Sequence, residues 1–283
     1  MQATVILSTY EQPFHLERAL RGYARQTVTD FEIVIADDGS GPETARAVDR
    51  VRADTALNIR HLWQEDREFR KPQILNRGVV AARSDYVIFS DGDCIPRDDF
   101  VQTHIQLNEP GTFLSGGAVR LPRSVSESIT VEDVRAGRAA DPAWLRGRGW
   151  KPGRHRYRLT RDARVAWLLD AATTTRPTLN GNNSSVFKQA VIDANGFDAE
   201  MGYFGEDAAL GDRLFHLGLR AKMIRHRAPL VHLYHDRPYR TAETIKRNTE
   251  IRRRIRKNRE VRAHLGIQEL SGLDPATELA GEP

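Results

Sequence analysis

The feature that most constrains the fold is a fourfold alternation of strand-like and helix-like segments near the N-terminus. Short apolar runs rich in β-branched and aromatic residues occur at residues 4–8, 31–36, 58–63 and 86–89, as expected of buried strands. Apolar residues at helical spacing lie between them, and Pro13 stands where the first helix would begin. This alternation predicts an α/β fold with a mostly parallel, doubly wound sheet.

Acidic side chains follow the second and the fourth predicted strands. Asp37 and Asp38 come directly after the second strand, and Asp91 and Asp93 close the fourth. Open α/β sheets bind ligands outside the carboxyl ends of their strands, so we expect both groups at one cleft. Asp91 and Asp93 would form a hard oxygen site suited to Mg²⁺ or Mn²⁺ carrying a substrate's phosphates. The alternative is a plain acidic turn at each strand end, since Asp, Gly and Ser favour turns.

The residues after the first strand argue against two classes of nucleotide-binding enzyme. Ser8-Thr9-Tyr10-Glu11 stands where a glycine-rich phosphate loop would be expected. A Gly-x-Gly-x-x-Gly dehydrogenase and a Walker-type nucleotidase are therefore both disfavoured.

Basic residues are concentrated in two stretches of a chain whose net charge is +5. Residues 120–164 contain twelve Lys/Arg against five Asp/Glu, and residues 242–265 contain nine against three. Such a balance favours phosphate-rich partners: nucleotides, anionic lipid or nucleic acid.

No run approaches the ~18 apolar residues of a membrane span, the start lacks a basic, cleavable leader, and the single Cys94 excludes an internal disulfide. We therefore expect a cytoplasmic protein.

The segment 124–178 breaks the strand–helix rhythm. It is rich in Arg, Gly and Pro, with Trp144, Trp150 and Trp167 interspersed. This pattern suits either a peripheral membrane surface or sugar-binding face, or a surface insertion whose tryptophans pack onto the domain. No recognised module accompanies the charge, so nucleic acid is not an expected partner.

The C-terminal half contains a second set of candidate functional residues. Glu206 and Asp207 would begin a helix, where the helix dipole favours negative charge, so simple capping is one interpretation. His232 and His235 flank a short apolar run. Residues 241–265 predict a long basic helix, and residues 271–283 a frayed tail.

Several of these motifs together resemble family 2 glycosyltransferases of the GT-A fold. They stand in the family's order and spacing, at residues 5–10, 35–40, 70–78 and 89–93. Residues 63–66 through 91–96 look like bacterial enzymes that build lipopolysaccharide and other surface glycans. The pattern Asn-Gly-Phe…Gly-Glu-Asp, ending at Asp207, also resembles the C-terminal part of the β-1,4-galactosyltransferase group.

The resemblance implies roles for particular residues. Asp207 would be the general base and Glu206 would help to orient the substrates. Asp93 and His235 would hold Mn²⁺ or Mg²⁺ with help from Asp91, with His232 as the second choice of histidine. The implied nucleotide- and donor-binding residues are Ser8, Thr9, Tyr10, Glu11, Asp38, Arg70, Lys71, Asp91 and Gly92, and the implied acceptor-binding residues are Asn182 and Asn183.

These observations predict a division of the chain into four parts. They are a nucleotide-sugar-binding half (1–122), a basic Trp-containing insertion (123–178), an acceptor and catalytic half (179–240), and a basic helix with its tail (241–283). The predicted function is inverting, metal-dependent transfer from a nucleoside-diphosphate sugar, expected to be a UDP-sugar, to a glycan or lipid-linked acceptor. The alternatives are a sugar-phosphate nucleotidyltransferase, which would need a signature loop this chain lacks, and a non-catalytic basic protein that binds membrane or nucleic acid.

Overall fold

An eight-stranded, mostly parallel sheet forms the centre of the protein in a computed structural model, which describes residues 1–236, 240–270 and 277–279. Its strands lie in the order β11-β3-β2-β1-β4-β8-β6-β9, and β5, β10 and β7 form a second, three-stranded sheet. The strands are β1 (Ala3–Thr9), β2 (Phe31–Asp37), β3 (Asn58–Trp63), β4 (Tyr86–Asp91), β5 (Cys94–Pro96), β6 (Thr112–Ser115), β7 (Gly117–Arg120), β8 (Ser184–Phe187), β9 (Arg220–Met223), β10 (Pro229–His232) and β11 (Thr277–Leu279).

Helices cover both faces of the large sheet. They are α1 (Pro13–Tyr23), α2 (Pro42–Asp54), α3 (Lys71–Ala81), α4 (Phe100–Leu107), α5 (Arg123–Glu127), α6 (Val131–Arg135), α7 (Pro142–Gly147), α8 (Ala163–Ala171), α9 (Lys188–Asp193), α10 (Glu206–His216), α11 (Ala242–Asn258) and α12 (Ile267–Leu270). Because strand side chains alternate between faces, Val5 and Leu7 of β1 pack with α1, α2 and α4. Ile6 packs on the opposite face with α3, α9 and α10. The predicted doubly wound α/β fold is confirmed.

The register of the central strands brings the predicted acidic residues to one edge. β1 pairs in parallel with β2 and with β4. Thr9 lies opposite Asp37, and Ser8 lies opposite Asp91. The ends of these three strands are therefore level, and the loops that follow them meet above the same edge.

Residues 112–121, which the sequence predicts as one strand, form two strands in different sheets. The chain turns at Gly116, between β6 and β7, where the backbone passes against Asn183. A Cβ atom on Gly116 would lie 2.1 Å from Asn183 Oδ1, so only glycine permits this approach. β7 then pairs with β10, which also lies antiparallel to β5 and places His232 opposite Cys94.

The basic segment 123–178 has an apolar cluster of its own. Val125, Leu145 and Trp150 are buried with Val119 and Val231 of the small sheet, and Trp144 packs against this cluster. Two of the three tryptophans thus pack onto the domain. Trp167, on α8, is different, because 56% of its surface is exposed.

The C-terminal part departs from the sequence prediction in two places. The basic helix α11 ends at Asn258 rather than near residue 265, because Arg259 takes a left-handed conformation with φ 51°. Residues 277–279 are not frayed: they form β11, which pairs antiparallel with β3. The rest of the predicted tail, residues 271–276 and 280–283, lies outside the described residues. Among the residues described, no helix is both long and apolar enough to cross a bilayer.

Candidate functional site

A cleft of about 790 Å³ opens at the level edge of β1, β2 and β4. Residues 199–203 and the first turns of α11 form its other walls. The predicted site residues that line it are Ser8, Thr9, Tyr10, Asp38, Lys71, Asp91, Gly92, Asp93, His232 and His235. The fold therefore brings most of the predicted donor and metal residues, which come from distant parts of the chain, into one cavity.

Asp91 forms a short polar network at the floor of the cleft. Its Oδ1 atom accepts hydrogen bonds from the Ser8 hydroxyl at 2.6 Å and from Lys71 Nζ at 2.9 Å. Burial would lower the pKa of Lys71, but the carboxylates of Asp91, Glu206 and Asp207 outweigh it and raise the pKa. A permanently charged ammonium group thus lies in the cleft, beside the acidic strand end.

Asp38 is held rigidly beside this network. Oδ1 accepts from Gln64 Nε2 at 2.6 Å, and Oδ2 accepts from the backbone N–H of Arg70 at 2.9 Å. Burial raises the pKa of Asp38 to about 6, although both hydrogen bonds oppose the shift. A buried carboxylate with this geometry can accept a further hydrogen bond from a base N–H or a ribose hydroxyl.

Asp37 has a structural role in the same turn. Its Oδ1 accepts from the backbone N–H of Ser40 at 2.8 Å, and its Oδ2 lies 2.8 Å from His61 Nε2. Gly39 has φ 101°, and a Cβ atom there would lie 2.6 Å from the backbone of Asp66. The turn that presents Asp38 therefore depends on a glycine in the left-handed region.

Asp93 faces two histidines that come from the end of β10 and the loop after it. His235 Nε2 lies 2.9 Å and His232 Nε2 lies 3.5 Å from Asp93 Oδ2. Burial would raise the pKa of Asp93, but the two imidazoles outweigh it and hold the pKa below its usual range. Each histidine donates from Nδ1 to a backbone carbonyl, His232 to Leu233 at 2.6 Å and His235 to Asp236 at 2.8 Å. Both rings thus direct Nε2 toward Asp93, with Nδ1 held by a backbone carbonyl, an arrangement that also occurs in metal-binding histidines.

Cys94 adjoins this group. Burial, together with the carboxylates of Asp93 and Asp91, raises the pKa of its thiol well above the usual range. The thiol donates to Asp93 Oδ1 at 3.2 Å. Asp93, Cys94 and His232 offer ligand atoms within 4.8 Å of one another, and His235 Nε2 also faces Asp93.

Glu206 and Asp207 begin α10 and have different environments. Asp207 is half-buried and accepts the backbone N–H of Gly181 at Oδ2 (2.8 Å) and of Ala208 at Oδ1 (2.7 Å). Glu206 is buried, and its Oε2 has no hydrogen-bond partner among the described residues. Burial, and then the neighbouring Asp207, raise the pKa of Glu206 to about 7, while Lys71 opposes the shift. Both carboxylates are close enough to Lys71, which lines the cleft, to raise the pKa of its ammonium group. Neither Glu206 nor Asp207 lines the cleft itself.

Three residues predicted to contact substrates have structural roles instead. Glu11 does not line the cleft, because its carboxylate accepts the backbone N–H of Gly41 at 2.7 Å. The guanidinium of Arg70 donates to the carbonyl of Glu65, and Arg70, unlike Lys71, does not line the cleft. Asn183 is fully buried, and its amide donates to the carbonyls of residues 117 and 228 at 3.0 and 2.8 Å. Asn182, the other asparagine predicted on the acceptor side, is half-buried.

Several residues of the cleft were not predicted from the sequence. Phe69 and Tyr203 face each other edge to face across 5.8 Å. Glu243, Thr244 and Arg247 enter from the start of α11. None of the five follows a predicted strand, so no local sequence signal placed them at this edge.

A further histidine near the small sheet takes no part in the site. His226 Nδ1 lies 2.9 Å from Asp170 Oδ1. This contact fixes the loop before β10 to α8.

Comparison with known proteins agrees with this geometry for the N-terminal part of the chain. Residues 4–122 match the family model described as Glycosyl transferase family 2. Validoxylamine A glucosyltransferase of Streptomyces hygroscopicus subsp. jinggangensis is 35% identical over 102 residues, 35% of this chain and 24% of that protein. Chondroitin synthase of Escherichia coli is 30% identical over 105 residues, 37% of this chain and 15% of that protein. The matched segment thus spans a quarter or less of these relatives.

Solved structures resemble nearly the whole chain. Mannosyltransferase PcManGT from Pyrobaculum calidifontis, in complex with GDP-Man and Mn²⁺, has a TM-score of 0.56 at 18% identity, covering 89% of this chain and 60% of that one. S. aureus TarS has a TM-score of 0.57 at 15% identity, covering 95% and 41%. TarS 1-349 in complex with UDP-GlcNAc has a TM-score of 0.54 at 16% identity, covering 84% and 60%. Residues 4–122 are therefore similar to glycosyl transferase family 2, and the solved structures that the chain resembles have the GT-A fold.

Proposed function

We propose that the chain is an inverting, metal-dependent glycosyltransferase that uses a nucleoside-diphosphate sugar, in particular a UDP-sugar. The observation that carries this proposal is the convergence, in one cleft, of Asp38, the Asp91–Lys71 pair and the Asp93–histidine group. Together they offer a hydrogen-bond acceptor for a nucleoside, a cation for phosphate and a set of metal ligands. The family 2 match at residues 4–122 disfavours the alternative of a nucleotidyltransferase.

The residues around Asp93 fit a divalent cation. The Nε2 atoms of His232 and His235 lie 3.5 and 2.9 Å from Asp93 Oδ2. Imidazole ligands favour Mn²⁺ over Mg²⁺, which prefers oxygen. Asp93, His232 and His235 would hold the ion, and the neighbour with GDP-Man also contains Mn²⁺. When bound, the cation supplies positive charge that neutralises the departing diphosphate.

The side chains of the protein perform the remaining steps of direct displacement. Asp38 accepts a hydrogen bond from the nucleoside and fixes its position. Lys71 places a further positive charge beside the phosphates. Asp207 accepts the proton of the acceptor hydroxyl at a carboxylate oxygen, while that hydroxyl oxygen bonds to the anomeric carbon and the bond to the diphosphate breaks. One displacement inverts the anomeric configuration, and Glu206 and Asn182 help to orient the sugars.

A role in bacterial surface polysaccharide or lipopolysaccharide synthesis would bring the enzyme to a lipid-linked acceptor at the inner face of the membrane. Two apolar side chains on α8 support a peripheral contact of this kind, since Trp167 and Leu168 are 56% and 57% exposed. The surrounding segment has the basic excess that attracts anionic lipid.

The proposal is tested by a panel of UDP-, GDP- and dTDP-sugars. Release of nucleoside diphosphate is measured with Mn²⁺, with Mg²⁺ and with EDTA. We expect turnover of a UDP-sugar with Mn²⁺, lost in EDTA. Absence of turnover and of thermal protection with every donor would refute the proposal, and salt-sensitive binding of polyanions without turnover would favour the non-catalytic alternative.

A further inference from the structure

A second concave surface, which we call the α11 groove, borders the loop that closes the cleft. Its volume is about 550 Å³, and it is lined by Phe204, Gly205 and the face of α11 between Asn248 and Lys257. Gly202 and Tyr203, the preceding residues of the same loop, line the cleft. Phe204 and Gly205 directly precede the acidic pair at the start of α10. The cleft and the groove thus share the loop that leads into that pair.

The α11 groove is strongly cationic. Arg252, Arg253, Arg256 and Lys257 line it. Asp212 Oδ2 accepts from Nε of both Arg252 and Arg256, each at 3.0 Å. No ion pair involves Arg253 or Lys257 within the parts of the chain that the structure describes. The groove thus has four cations, of which only two pair with Asp212. This excess of positive charge attracts anions.

Two further features suit a saccharide rather than a simple ion. The exposed ring of Phe204 gives the groove an apolar wall, and the guanidinium of Arg240 lies 5.7 Å from its centroid. Asn248 is buried, and its Oδ1 has no hydrogen-bond partner among the described residues. A buried amide oxygen without a donor is unfavourable, and a hydroxyl of a bound saccharide would satisfy it.

We propose that the α11 groove is the acceptor site and that the acceptor is an anionic glycan, with a phosphate or a carboxylate held by Arg253 and Lys257. The inference rests on the proposed function, since it assigns the acceptor of that same reaction. Guanidinium groups bind phosphate and carboxylate alike through paired N–H donors. A neutral acceptor would gain no electrostatic attraction from the cationic side chains of the groove.

The test measures binding without a sugar nucleotide. Calorimetry compares polyphosphate, oligogalacturonate and neutral dextran with the full chain. We expect at least one polyanion to bind and dextran not to bind, and the better polyanion identifies the charged group. In Arg253→Gln/Lys257→Gln, loss of two exposed charges should weaken that binding about fivefold.

The matched control is Arg46→Gln/Arg83→Gln, which removes two exposed arginines and the same charge outside both basic stretches of the chain. It should bind the polyanion as the wild type does. Equal loss in the two double variants, wild-type affinity in the groove variant, or no binding of either polyanion would overturn the inference. Release of diphosphate from the donor is measured separately, without polymer, and reports on the proposed function alone.

Discussion

At the scale of single residues, two adjacent carboxylates have acquired different properties from their surroundings. Asp207 accepts hydrogen bonds from the backbone N–H groups of Gly181 and Ala208. Glu206 is buried and its pKa is raised to about 7. Their position at the start of α10 could be predicted from the sequence, but the division of properties could not, because it depends on Gly181 and Lys71, which come from distant segments.

We predict that Asp207→Asn loses nearly all sugar transfer but retains donor binding. The substitution conserves size and removes the group that accepts a proton, and loss of a general base typically costs about 10²–10⁴-fold in rate. Transfer rate and donor affinity are measured on the same sample. Asp193→Asn, at the exposed end of α9, is the matched control and should retain full transfer. Near-wild-type transfer by the Asp207 variant would indicate that Glu206 is the general base, or would refute the mechanism.

Glu206→Gln should change the pH dependence of stability. A carboxyl whose pKa is raised from about 4.5 to about 7 on folding binds its proton more tightly in the folded state. Its contribution to the free energy of unfolding is therefore lost as pH rises through that window. Glutamine mimics the protonated form. The free energy of unfolding, measured by denaturation at pH 5 and pH 8, should therefore fall less between these two pH values for the variant than for the wild type. The same fall in both proteins would contradict the assignment.

At the scale of elements, local signals predicted the first part of the fold and long-range contacts decided the rest. β1 to β4 and α1 to α3 follow from apolar runs and helical spacing, and the functional residues at strand ends follow with them. The division of residues 112–121 into β6 and β7 depends on Asn183 packing against Gly116. The pairing of β11 with β3 and the cleft wall at residues 199–203 likewise have no local signal, because tertiary contacts create them.

The loop between the cleft and the α11 groove depends on one side chain of α11. Asn248 Nδ2 donates to the carbonyls of Gly202, Tyr203 and Phe204 at 2.9, 3.1 and 2.8 Å. Phe204 has φ 88°, which is unfavourable for a bulky residue. Loss of these hydrogen bonds would therefore leave a strained loop without support.

We predict that Asn248→Ala lowers the free energy of unfolding by about 1–3 kcal/mol. Chemical denaturation measures the change. Asn258→Ala is the matched control, since Asn258 is exposed and its amide donates only to Glu260 in the described structure. An equally small effect of both substitutions would show that the loop does not depend on Asn248.

At the scale of the whole molecule, charge and exposed apolar surface are distributed unevenly. The strand ends within residues 4–122 form one side of the cleft, whereas the basic excess lies in residues 120–164 and in α11. Trp167 and Leu168 are exposed on α8, just after the first of these regions. This distribution fits a molecule that contacts an anionic surface with one region while the cleft stays accessible.

We expect the protein to float with liposomes that contain anionic lipid and not with neutral ones. Each basic residue near such a surface contributes about 1 kcal/mol, and added salt should weaken the binding. Trp167→Ser/Leu168→Ser should reduce flotation. Val80→Ser, which removes an exposed apolar side chain from α3, should not. Equal flotation with neutral and anionic liposomes would refute the membrane contact.

The most direct test of the central claim, a metal-dependent nucleotide site in the cleft, is the affinity of UDP measured by calorimetry with Mn²⁺ and with EDTA. We predict that the wild type binds UDP much more tightly with Mn²⁺, and that Asp93→Ala binds weakly under both conditions, because the variant lacks the carboxylate that faces His232 and His235. Equal affinity of the wild type with and without Mn²⁺ would contradict the account.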